Sequence, residues 1–167
     1  MKEVNDLACQ RIFSYAVVAM GVTTPPIVGN AGYLLYKAGV FGQRAFGEAF
    51  SSVGLTAREF LVLSFASDAP LSQQDVARRL GIDPTLVVGV VDELEGRSLL
   101  RRDKDLNDRR RYLLTVTPKG TTLLTKARAT AERAEAAFLE PLSATEREQL
   151  HSILVTLMTP KLTWLEG

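Results

Sequence analysis

The 167 residues suffice for one domain with a buried core, or for a small domain with helical extensions, and they exclude tandem catalytic domains. At 46% hydrophobic and 23% charged the composition is that of a soluble globular chain, and Lys+Arg 20 against Asp+Glu 19 leaves a net charge of +1, so attraction to an anionic partner must come from local clustering. One Cys and one His exclude a disulfide framework, a Cys/His zinc site and, except around His151, Ser-His-Asp chemistry; no metal, no cofactor and no enzymatic activity are expected, and cytoplasmic residence is compatible with this cysteine count.

The apolar stretch from Ile12 to Val22 is too short to span a bilayer. It reads as a short helix or as a leader core, and the second reading lacks a positive n-region because Glu3 and Asp6 offset Lys2 and Arg11. No membrane partner is expected. TTPPIVGN, residues 23–30, pairs two prolines with Gly29 and Asn30 and predicts a linker closing an N-terminal extension, residues 1–30. From Tyr33 to Phe50, apolar residues recur at helical steps (Leu34, Ala38, Phe41, Ala45, Ala49), with Gly39, Gly42 and Gly47 as weakening positions.

Side-chain oxygens that can accept one of the four unpaired N–H groups at a helix start then mark each following element. Thr56-Ala57-Arg58-Glu59 predicts a helix through about Ser67, Ser72-Gln73-Gln74-Asp75 one that ends at Gly81, and Ser143-Ala144-Thr145-Glu146 one stopped by Pro160. Asp83-Pro84 opens a helix through about Gly96, and Thr117-Pro118 opens a long alanine-rich helix through about Leu139. Between them, LLRRD and RRYLLTVT flank the polar run KDLND, the pattern of an antiparallel hairpin with a long charged tip.

A short helix, a turn at Gly81, a second helix and a charged hairpin predict a mainly α, winged helix-turn-helix fold, whose second helix can enter a major groove while the hairpin reaches the minor groove or backbone. Charge clusters to match, with seven Arg/Lys against three Asp between Arg97 and Arg111. Ser72 and Gln73 sit at a helix N-terminus suited to a phosphate, Thr85 is the main polar side chain of a recognition segment otherwise carrying Leu86, Val88 and Gly89, and Arg102, Arg109, Arg110 and Arg111 supply cations. Direct base readout is therefore expected to be thin, leaving DNA shape as a main source of specificity. The apolar recognition segment also leaves open a winged-helix module that binds protein instead of double-stranded DNA, which a salt-dependent affinity for duplex would exclude.

LSQQDVARRLGID, VVDELEGRSLLRR, the wing run Asp108-Arg109-Arg110 and TVTPKG, in that order and spacing, resemble the MarR-type (multiple antibiotic resistance) transcriptional regulators from about Tyr33 to Met158. The resemblance implies a winged helix-turn-helix region, residues 55–117, flanked by dimerisation helices, residues 31–54 and 118–160. It further implies an obligate homodimer on a pseudo-palindromic operator, often released by a small aromatic or phenolic effector. It suggests that Asp108 orients Arg110. Tyr33 and Tyr36, with Phe41 and Phe46, can line an effector pocket, although aromatics at helical spacing more often serve as core or dimer contacts. Some relatives sense hydroperoxides through a first-helix cysteine paired with a tyrosine four residues on. Here Phe13 occupies that position, so Cys9 is expected to be an inert apolar residue rather than the sensor of a redox-responsive repressor. His151 is expected at an interface or surface.

Overall fold

The structure, a computed structural model, describes residues 26–105, 108 and 111–161. Cys9, Phe13 and the Ile12–Val22 stretch, together with Arg109 and Arg110, lie outside the described residues. The chain divides into two compact units, residues 1–44 and 45–167, and helix α1 (Ala31–Ser51) runs from the first into the second. In the first unit Pro26–Gly29 forms a 3-10 turn. Asn30 then starts α1, its Oδ1 accepting from the Tyr33 N–H at 3.0 Å. The three glycines do not interrupt this helix.

The second unit follows the predicted order. Helix α2 spans Ala57–Asp68, α3 Gln73–Leu80, α4 Pro84–Gly96, strand β1 Leu100–Lys104, strand β2 Tyr112–Val116, α5 Pro118–Phe138 and α6 Ala144–Met158. Each expected cap is formed. Thr56, Ser72 and Ser143 make reciprocal boxes with Glu59, Asp75 and Glu146, while Asp83 and Thr117 accept from the N–H groups of Thr85 and Gly120. Between α3 and α4 the chain reverses at Gly81, whose φ of 64° is left-handed and whose N–H closes on Ala77 and Arg78 carbonyls.

Helical and strand periodicities meet in one core. Val62 and Leu63 of α2, Val76 of α3 and Val87, Val91 and Leu94 of α4 are sealed together with Leu99, Leu100, Leu114 and Leu124. Phe50, at the end of α1, stacks on Phe60 with centroids 4.3 Å apart. The strands pair antiparallel with Leu100 opposite Val116, Arg102 opposite Leu114 and Lys104 opposite Tyr112. Leu114 N–H also donates to the Leu71 carbonyl at 2.8 Å, which ties the hairpin to the residue just ahead of the α3 cap. Register and cap are thereby fixed together.

Gly120 makes the tightest approach in the unit. A Cβ placed there would stand 2.0 Å from the Leu99 carbonyl oxygen and 2.8 Å from a Val116 methyl. The final residue of TVTPKG is therefore required to be small by packing. In contrast, α6 contains no buried residue, and Ile153, Val155, Leu157 and Met158 are all exposed.

Candidate nucleic-acid interface

Helix α4 divides cleanly by period. Val87, Val91 and Leu94 face the core, so Thr85, Leu86, Val88, Gly89 and Asp92 form the outward side. This is the side a recognition helix would present to base edges, and all five of its residues are exposed, Asp92 while paired with Arg102. Asp83 holds the helix start by accepting from Thr85 N–H at 2.7 Å, and hydrogen bonds from the Thr85 side chain and N–H keep its carboxyl below the usual range. Thr85 therefore sits on a fixed first turn.

Arg102, expected among the DNA-contacting cations, is partly buried, with 21% of its side chain exposed. Its guanidinium pairs with Asp92 and Glu95 of α4, and its Nε donates to Gln73 Oε1 at 3.1 Å. One planar fork thus joins α3, α4 and β1. Burial acts to lower the Arg102 pKa, but the two carboxylates outweigh it and the pKa is raised. The consequence is electrostatic: Arg102 neutralises two acids on the recognition helix that would otherwise repel a phosphate backbone. Gln73 is fixed in orientation by the same contact, which leaves its buried Nε2 without an acceptor.

The wing meets α3 through a second ion pair. Asp75, the capping-box acid, accepts from Ser72 N–H at 2.9 Å and from Ser72 Oγ at 2.6 Å, and also pairs with Arg78 and Arg111. Burial acts to raise the Asp75 pKa, yet the bonds from Ser72 and Arg111 prevail and lower it. At the tip, Arg111 N–H donates to the Asp108 carbonyl at 2.9 Å and Asp105 N–H donates to the Arg111 carbonyl at 3.0 Å. Ser72, Gln73, Gln74, Asp75, Arg78, Asp108, Arg111 and Tyr112 line an open groove of about 450 Å³ between the start of α3 and the wing.

The structure therefore brings Ser72, Gln73, Asp108 and Arg111 to one groove, and places Thr85 on the outward face of α4. In the other unit, Tyr36 is 66% exposed and Tyr33 half-buried. Sequence reasoning passed over Asp92 and Glu95, and took Asp75 for a cap alone. The signals were present: Asp92 and Glu95 stand three apart on one helix face, and strand alternation puts Arg102 on the same side as buried Leu100. A further pair, Glu59 with Arg97 at 2.8 Å, fastens α2 to the turn before β1, where Arg97 Nη2 also donates to the Gly54 carbonyl.

A sequence profile of the MarR family matches residues 53–111. The transcriptional repressor Rv2887 of Mycobacterium tuberculosis is 31% identical over 127 residues, 75% of this chain and 91% of that protein. Among solved structures, CouR of Rhodococcus jostii RHA1 bound to p-coumaroyl-CoA is 32% identical with a TM-score of 0.73, covering 82% of this chain and 97% of that one. Rv2887 in complex with salicylic acid is 30% identical with a TM-score of 0.66, covering 77% and 96%. With likeness extending over 75% of its length to a curated repressor, the chain belongs to the MarR family of transcriptional regulators.

Proposed function

We propose that the protein is a repressor that binds a pseudo-palindromic operator as a homodimer and is released by a small aromatic effector. The observation that carries the DNA reading is the outward side of α4, exposed on the unit that carries a wing whose Arg111 lines a groove with Ser72 and Gln73. In this reading Thr85 meets base edges, while Ser72, Gln73 and Arg111 meet phosphates. Arg109 and Arg110 complete the wing, with Asp108 orienting Arg110 in an A·T-rich minor groove. Arg102 positions the helix and suppresses its acidity, without itself touching DNA.

Dimerisation is supported by α6, a fifteen-residue helix with no buried residue and with Ile153 63% exposed. Leu35, Tyr36, Val40 and Phe41 are exposed apolar residues of the first unit. An aromatic effector is supported by relatives solved with p-coumaroyl-CoA and with salicylic acid. The deciding experiment is selection of genomic fragments by the purified protein, followed by sequencing. Inverted repeats with half-sites about one helical turn apart support the proposal. Recovery of no sequence preference, or of single unrepeated sites, contradicts it.

A further inference from the structure

We propose that α4 reads its half-site chiefly through the C5 methyl groups of thymine, using Leu86 and Val88 as the reading side chains; this rests on the DNA-binding reading above. Leu86 is 48% and Val88 43% exposed, although the equally aliphatic Val87 between them is fully buried. At 100° per residue, Thr85 and Gly89 lie near the middle of the outward arc, and Leu86 and Val88 flank them on opposite sides. A Cβ at Gly89 would meet no atom of the protein within 4 Å, so the centre of the arc is open between two apolar shoulders.

A base edge in the major groove offers donors, acceptors and, on thymine alone, a methyl group. Leucine and valine have no polar side-chain atom with which to use the first two. On this face they can discriminate only by covering the methyl, and facing a polar edge they would strip water from it without replacement. Charge on the flanks fits a nucleic acid as the occupant: Arg78 is 62% and Arg111 45% exposed next to the α3 cap, and Arg102 holds the carboxylates of Asp92 and Glu95.

The test uses the full-length protein and a tight duplex obtained by fragment selection, synthesised with thymine or with deoxyuridine throughout both half-sites. This exchange deletes the methyl and leaves base pairing intact. Each covered methyl should contribute about fourfold in affinity, equivalent to about 0.8 kcal/mol, so two per half-site give roughly fifteenfold weaker binding for each half-site to the uracil duplex. The double variant Leu86→Ala, Val88→Ala alters only exposed side chains; it should bind the two duplexes alike, with unchanged thermal stability. Equal wild-type affinity for both duplexes overturns the inference while leaving DNA binding intact, as does undiminished discrimination by the double variant. Binding to neither duplex at low salt overturns the DNA-binding reading and this inference together.

Discussion

Replacing Gly120 by alanine tests the packing that joins the hairpin to α5. The added Cβ would lie 2.0 Å from the Leu99 carbonyl oxygen and 2.9 Å from its carbon, both backbone atoms, so no rotamer change relieves the clash. Ordinary contact requires the helix start or the strand to retreat by more than an ångström. That carbonyl accepts from Thr117 N–H at 3.1 Å, Thr117 Oγ1 donates to the Ser98 carbonyl at 2.8 Å, and Gly120 N–H donates to Thr117 Oγ1 at 3.0 Å. Two or three hydrogen bonds at about 1 kcal/mol each, added to overpacking of about 1–3 kcal/mol, give a loss of roughly 3–6 kcal/mol. Urea denaturation at one fixed protein concentration measures it as a fall in midpoint with little change in slope. Gly89→Ala is the control, since its Cβ meets nothing and it should stabilise the same protein by about 0.5–1 kcal/mol. A Gly120→Ala variant within about 0.5 kcal/mol of wild type would refute the close-approach argument.

Arg102→Ala strands Asp92 and Glu95 as unpaired anions on the recognition helix, and should weaken duplex binding by roughly 10- to 100-fold, with partial recovery when Asp92→Asn is added; affinity loss without such recovery would mean that Arg102 contacts DNA itself. Because the Asp75 pKa is lowered on folding, its contribution is full above the unfolded value of about 3.9 and is lost as pH falls through the folded value. Asp75→Asn should accordingly flatten the stability curve below about pH 4, as followed by urea midpoints at stepped pH, and an unchanged curve would assign the acid sensitivity elsewhere. Ile153→Asp places a charge on the exposed face of α6 and should weaken self-association by about 2 kcal/mol or more, observed by sedimentation as a shift to monomer; a variant as dimeric as wild type would remove α6 from the interface.

What the sequence disclosed was local. Thr56, Ser72, Asp83, Thr117 and Ser143 are recognisable as caps because the groups they satisfy lie two or three residues away, within reach whatever the tertiary fold. The hairpin was readable for a similar reason, since alternating strands around a polar run fold back on themselves. Arg102 with Gln73, Glu59 with Arg97 and Arg111 with Asp75 are separated by 29, 38 and 36 positions. Their pairing depends on how helices pack, and a local count of positive charge treats all such arginines as equally available. The structure separates them: Arg102 is held by two carboxylates of α4 with 21% of its side chain exposed, whereas Arg111 pairs with Asp75 and keeps 45% exposed. Gly120 was visible as part of a motif, but the carbonyl that requires it belongs to Leu99 and becomes apparent only after folding.

The central claim is that this winged helix-turn-helix binds duplex DNA by phosphate neutralisation around α3, α4 and the wing. Its most direct test is the affinity of the purified protein for a selected duplex across a series of salt concentrations. The logarithm of the binding constant should fall linearly with the logarithm of salt, with a slope of about −0.9 per phosphate neutralised. Absence of duplex binding at low salt, or affinity indifferent to salt, would contradict it.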